Sequence, residues 1–280
     1  MSDGLKRYFL VISQAKTGTT TLGQVLPAVC PAGTYIAKFH DHRLRLVDPA
    51  TTTPKKFAAL QHDLGVLDGI RALNPETSRL VVVTAVRDPV ARIYSHFFEK
   101  GVYPSQALRG TTEADWSDER FVETFRGDFR AMLKPLLRVE LKFLTEILND
   151  GLALEFPNLG FRGIADRMER VGPYARYQSG AIVGLVLPHD GLLATLRQAL
   201  ADLGVGAPEI PETVAYAGES RGFGRLYQAF MDQVPFPDKV LELAYRSPMP
   251  RLLYSPKEIV AMRQRWIDRW RTGGWQERLA

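Results

Sequence analysis

Apolar residues in this chain gather into a few short runs, separated by longer stretches in which they recur every three or four positions. Lys6–Ser13 carries Tyr, Phe, Leu, Val and Ile in succession and reads as a buried strand. Thr34–Phe39 and Ala181–Leu187 read the same way, and Leu80–Val86, apolar almost throughout, is the clearest strand of all. Strands apolar on both faces belong to a parallel sheet covered by helices on each side. The helical stretches alternate with these runs. One follows Thr21 to about Leu26. Another opens at Thr53-Pro54, an N-cap followed by proline, and stops near Asn74-Pro75. Pro89–Glu99 and Gly191–Leu203 are further helices. Asp118–Asn149 is helix-rich, with a break expected near Gly127 or Pro135. Ser255-Pro256-Lys257-Glu258 has the form of a capping box and starts a last helix ending before Gly273-Gly274. The pattern predicts an α/β fold: an open parallel sheet flanked by helices, with a helix-rich second half. A single domain over residues 1–280 is expected, with a helical insertion at about 102–178.

Composition adds bounds. The 280 residues, 45% apolar, suffice for one sizeable core. A lone cysteine, Cys30, excludes an intramolecular disulfide framework and fits a reducing compartment. The polar Met1–Arg7 and the short apolar run after it do not make a signal peptide, and no run is long enough to span a bilayer. A cytoplasmic protein without an integral membrane segment is expected. The net charge of +5 suits an anionic ligand without choosing one.

Ligands of open α/β sheets sit beyond the carboxyl ends of the strands, so the residues just after each strand matter most. After the first comes Gln14-Ala15-Lys16-Thr17-Gly18-Thr19-Thr20-Thr21. Gly18 lets the backbone turn and approach a ligand closely. The threonines bring hydroxyls and amides to a helix N-terminus, a natural anion site, and Lys16 adds a full charge. The strand–loop–helix is P-loop-like, but the lysine precedes the glycine, unlike the nucleoside-triphosphate loop. After the third strand comes Arg87-Asp88-Pro89-Val90-Ala91-Arg92-Ile93-Tyr94-Ser95. Arg87 can grip phosphate with its fork, and Asp88 can cap the helix that Pro89 begins. Eight residues on, Ser95 returns to nearly the same face, so Arg87 and Ser95 can converge on one anion.

Together, in this order and setting, the two segments resemble sulfotransferases that use 3′-phosphoadenosine 5′-phosphosulfate (PAPS). Lys16-Thr17-Gly18-Thr19-Thr20 is similar to their 5′-phosphosulfate loop. Arg87 through Ser95 is similar to their 3′-phosphate motif. The resemblance covers about Arg7 to Phe98. It implies that Lys16 and the amides of Thr17 to Thr21 hold the phosphosulfate, and that Arg87 and Ser95 hold the 3′-phosphate. Ala15 stands where proline is frequent in the family. The late Arg-Lys-Gly loop of the cytosolic small-molecule enzymes has no convincing copy, which leaves the adenine contacts unassigned and points to a carbohydrate-type branch.

Phe39-His40-Asp41-His42 ends the second strand, and strand geometry would put His40 and His42 on one face. Histidine titrates near working pH and suits removal of an acceptor hydroxyl's proton. The pattern resembles the His-x-His of uronyl 2-O-sulfotransferases, where both histidines bear on catalysis. A zinc site drawing on His62 or Asp63 is an alternative, although the spacing completes no metal signature. His96 and His189 read as structural. Trp266 and Trp270, four apart, read as the packed face of a basic C-terminal helix, and Val102–Ser117 is a candidate acceptor lid. The expected function is transfer of a sulfuryl group from PAPS to a hydroxyl, on a carbohydrate or related metabolite. It requires no metal and no nucleic-acid partner, and leaves the oligomeric state open. The alternatives are an ATP-dependent phosphotransferase, with Asp88 as magnesium ligand, and a non-enzymatic polyanion-binding protein.

Overall fold

A computed structural model of the chain describes residues 4–12, 17–31, 33–36, 54–142, 156, 159, 168–205, 210 and 222–273. The chain divides into two compact units. One comprises Met1–Val86 and Phe143–Val214, the other Arg87–Lys142 and Ala215–Ala280.

The first unit is built on a six-stranded sheet. Its strands are β1 (Lys6–Val11), β2 (Tyr35–Ile36), β3 (Ser78–Val86), β4 (Met168–Val171), β5 (Tyr174–Ser179) and β6 (Ile182–Pro188), in the order β2-β1-β3-β6-β5-β4. β2, β1, β3 and β6 run parallel, with Leu10 beside Val82 and Val82 beside Gly184. Their residues are buried almost throughout, as apolar central strands require. The expectation of a wholly parallel sheet is corrected at one edge. β4 and β5 pair antiparallel, and β5 pairs antiparallel with β6. Gly172-Pro173 and Gly180-Ala181 make the connections, and both glycines have positive φ. Two-residue loops of this kind join antiparallel neighbours, whereas parallel ones need a crossover. Gly184 of β6 is required by packing: a Cβ there would lie 1.3 Å from the Tyr177 ring.

Three described helices belong to this unit: α1 (Thr19–Val29), α2 (Pro54–Arg71) and α5 (Leu192–Asp202). Phe9 and Val11 of β1, Val81 and Val83 of β3, Leu22, Val25 and Leu26 of α1, and Leu196 and Leu200 of α5 pack in one core. Cys30 joins it, and burial pushes its thiol up to about 12. It is a hydrophobe here, not a nucleophile.

The second unit is helical: α3 (Pro89–Phe97), α4 (Asp118–Lys142), α6 (Gly224–Gln233), α7 (Asp238–Tyr245), α8 (Pro248–Arg251) and α9 (Pro256–Thr272). The break expected near Gly127 or Pro135 does not occur; α4 runs through both. Phe121, Val122, Phe125, Phe129, Leu133, Leu136 and Leu137 recur at helical spacing and are all buried. Burying each such side chain contributes roughly 1.5–3 kcal/mol, enough to offset the roughly 3 kcal/mol that an interior proline costs. Tyr94 of α3 stacks on Phe129 with centroids 5.0 Å apart and meets Phe230, Phe236 and Trp266. Within this core Arg92 forms an ion pair with Glu140, both side chains essentially without solvent contact. The capping box at Ser255 and Glu258 starts α9 as expected. Trp266 and Trp270 are buried on one of its faces. Trp116, in the proposed lid, is likewise packed into the core and donates its indole N–H to Thr111. No described helix is long and apolar enough to cross a membrane.

Candidate functional site

In the first unit, β1 leads into the Gly18 turn and α1. Lys16 lies outside the described residues, as do His40 and His42. Thr17 is fully buried. Gly18 is the N-cap of α1 at φ 94°, and the Leu22 N–H bonds its carbonyl at 2.9 Å. The cap has no side chain to satisfy the first-turn amides, and the first turn carries no acid. Neither the cap nor the first turn thus compensates the positive end of the α1 dipole, an arrangement that favours an anion. Thr19 is buried, while Thr20 and Thr21 are half-buried.

Gly18 has a second reason to be glycine. A Cβ at this position would come within 2.5 Å of Leu192 Cδ2 and 3.9 Å of His189 Cδ2. The start of α5 and the loop after β6 thus pack directly against the turn. His189, read from the sequence as structural, stands at the carboxyl end of β6 beside Gly18. Its Nδ1 is 3.3 Å from the Asp190 carboxylate. A cavity of about 500 Å³ lies elsewhere along α5, lined by Val171, Pro173, Gly191, Thr195, Gln198 and Asp202 among others. It includes none of the residues singled out by the sequence.

The second segment lies in the helical unit. Asp88 caps α3, accepting a hydrogen bond from the Ala91 N–H at 2.9 Å. The same carboxylate accepts from the Tyr245 hydroxyl at 2.6 Å and from the Trp266 indole N–H at 3.0 Å. The start of α3 is thereby tied to α7 and α9. Burial raises the Asp88 carboxyl above its ordinary value, and these hydrogen bonds pull it back only in part.

Arg87 and Ser95, on either side of this cap, are both half-buried. Both bear on the hydroxyl of Tyr227, on α6, and lower it from the value that its burial sets. The Tyr227 ring meets Phe98 edge-on, with centroids 4.5 Å apart. Burial raises this hydroxyl above its ordinary value, and the charges of Arg87 and Arg269 lower it in part. Arg269 is engaged by Asp232 at 2.5 Å and by Gln228 at 2.8 Å. Sequence reasoning missed Tyr227. The apolar spacing of Phe223, Leu226 and Phe230 around it was the available signal for a helix, but nothing local ties it to Arg87.

Among the described residues no group of three or more His, Cys, Asp or Glu side chains could hold a metal. His62 and Asp63 bond each other at 3.1 Å. No family model, no curated protein and no solved structure matches this chain.

Proposed function

We propose that the protein is a PAPS-dependent sulfotransferase acting on a hydroxyl of a carbohydrate or related metabolite. The observation that supports this reading is the start of α3, where Asp88 caps the helix and the half-buried Arg87 and Ser95 stand on either side of that cap. The resemblance assigns those two residues to a single phosphate, and their spacing along α3 lets a guanidinium fork and a hydroxyl face one group. A guanidinium and a hydroxyl so placed form charge-assisted hydrogen bonds with a phosphate.

In the proposed reaction the acceptor oxygen attacks sulfur in line. The bond from sulfur to the bridging oxygen of the 5′-phosphate breaks, and 3′-phosphoadenosine 5′-phosphate (PAP) leaves with the electron pair. Lys16 and the amides from Gly18 to Thr20, at the positive end of α1, stabilise the charge that grows on the leaving oxygen. His40 or His42 takes the acceptor proton. Arg87 and Ser95 anchor the nucleotide through its 3′-phosphate.

The phosphotransferase alternative needs Asp88 as a magnesium ligand. Asp88 instead already accepts three hydrogen bonds, from Ala91, Tyr245 and Trp266. Calorimetric titration with PAP and with ADP tests the reading. Hydrogen bonds to a charged group contribute roughly 1.5–3 kcal/mol each, so one or two of them correspond to a roughly 10- to 10⁴-fold preference for PAP. Arg87→Ala is expected to erase most of it, and Arg87→Lys to restore only part, because lysine lacks the planar fork. Equal affinity of the wild type for the two nucleotides would refute the assignment.

A further inference from the structure

We propose that the groove between α5 and the β4–β5 turn binds a neutral, hydroxyl-rich ligand, a monosaccharide or disaccharide, held by Thr195, Gln198 and Asp202. This goes beyond the donor reading and stands without it.

The groove lies within the first unit, and its volume of about 500 Å³ falls inside the roughly 300–1,000 Å³ of small-molecule sites. Val171 and Pro173 line it from the β4–β5 edge. The rest comes from one face of α5, where Gly191, Thr195, Gln198 and Asp202 recur three or four residues apart. Side chains so spaced stand roughly 5–6 Å from one another. Thr195 is the residue that points to a ligand. It is 5% exposed, yet among the described residues its hydroxyl has no hydrogen-bond partner. A helical threonine can return its hydroxyl to the carbonyl four residues back. Here the Gly191 carbonyl accepts only the Thr195 backbone N–H, at 3.0 Å. Buried polar groups are paired in the great majority of cases, so a hydroxyl left open on a groove calls for a partner from outside the chain.

Asp202 sets which partner that is. Its carboxylate accepts from the Tyr174 hydroxyl at 2.7 Å and from the Gln198 amide at 2.8 Å. Burial and the Asp202 charge push the Tyr174 hydroxyl up to about 12, so its proton stays on that bond. A carboxylate has about four acceptor positions, so about two remain, and the Gln198 carbonyl adds another on the same face. The ligand must therefore bring donors, either an ammonium or hydroxyls. Positive charge is already at hand. Arg7 donates to the Leu203 carbonyl at the end of α5, at 2.7 Å, and the Arg176 charge acts on Tyr174. Neutral hydroxyls fit what is left, on a molecule whose carbon faces lie against Val171, Pro173 and Ala194.

Saturation-transfer difference NMR on the full chain tests this. The probes are glucose, galactose, N-acetylglucosamine, cellobiose and lactose, with ethanolamine hydrochloride as the cationic comparison. At least one sugar is expected to bind with a Kd of about 1 mM or tighter, and ethanolamine more weakly. Thr195→Val keeps the side-chain shape and removes the hydroxyl. It should weaken that sugar roughly two- to tenfold and leave the Tm unchanged or higher, because the deleted hydroxyl has no partner within the protein. Asp202→Asn should weaken it about tenfold or more, the size of a hydrogen bond to a charged group. Failure of every sugar to bind would overturn the proposal. So would binding that survives both substitutions, or ethanolamine binding as tightly as the sugars. Displacement of the sugar by PAP would put it in the nucleotide site and overturn the proposal too. The preference for PAP over ADP is read separately and bears on the donor reading alone.

Discussion

Asp88 offers the sharpest test of how the second segment is built. Replacing it with alanine removes three hydrogen bonds at once: those from Ala91, Tyr245 and Trp266. Loss of the helix cap costs about 1 kcal/mol. The Tyr245 and Trp266 side chains are 4% and 8% exposed, so their donors have little access to water. Each buried donor left without a partner costs roughly 1–3 kcal/mol. Part of this is offset, because the carboxylate is itself desolvated and its removal ends that cost. The net expectation is a loss of about 2–5 kcal/mol, a large share of the roughly 5–15 kcal/mol that holds a typical protein folded. Asp88→Asn keeps an acceptor and sheds the buried charge, and should cost about 1–2 kcal/mol. Denaturant unfolding followed by tryptophan fluorescence reads this unit, since Trp116, Trp266, Trp270 and Trp275 all belong to it. The sign of the pH dependence follows from the raised carboxyl. The folded state binds this proton more tightly than the unfolded chain, so its contribution to stability falls as pH rises from the ordinary carboxylate range through the raised value. That decline should be missing in Asp88→Asn. An alanine variant within about 0.5 kcal/mol of the wild type, well below the cost of one orphaned donor, would refute the reasoning.

Lys16→Ala should lower turnover by about 10²–10³ while weakening donor binding far less, because its charge matters most as the leaving oxygen becomes anionic. Steady-state kinetics with a generic saccharide acceptor reads this, and near-normal turnover would take Lys16 out of the chemistry. In the same assay at least one of His40→Ala and His42→Ala should abolish transfer with PAP affinity preserved. If both keep wild-type rates and His189→Gln does not, the base is the histidine beside Gly18. Gly18→Ala should destabilise the protein by about 2–4 kcal/mol, from a strained left-handed backbone and from overpacking against Leu192. Calorimetric unfolding checks this, and an unchanged Tm would mean that the turn can relax.

The sheet's centre was legible because its strands solve one physical problem. β3 is buried on both faces and must be apolar at nearly every position, and Leu80–Val86 says so without help from the rest of the chain. β4 and β5 escaped notice because they lie at and next to an edge. Met168-Glu169-Arg170-Val171 is largely solvated, and Tyr174–Ser179 mixes buried tyrosines with Arg176 and Gln178. Their pairing is set by neighbouring strands and two-residue loops, not by a run of their own. α4 failed as an expectation for the opposite reason. Gly127 and Pro135 are local signals, and the buried aromatic face that overrides them acts only once the helix has partners.

The candidate site divides along the same line. Arg87, Asp88 and Ser95 share one short segment, so helical spacing alone predicts that Asp88 caps α3 and that Arg87 and Ser95 can face one group. What surrounds them is set by distant elements such as α6, whose Tyr227 hydroxyl both residues influence, and no local pattern encodes that. Gly18 makes the complementary point. Its positive φ belongs to the turn and could be anticipated, but the approach of Leu192 follows from α5 packing beside α1. A glycine read from sequence as room for a ligand is thus also room for a neighbouring helix. Since packing already requires glycine at this position, intolerance of Gly18 to substitution would not by itself be evidence for a bound phosphosulfate. The charge of Lys16 and the guanidinium fork of Arg87 are the features that the anion reading asks for beyond packing. Substitutions there, rather than at Gly18, separate binding chemistry from folding.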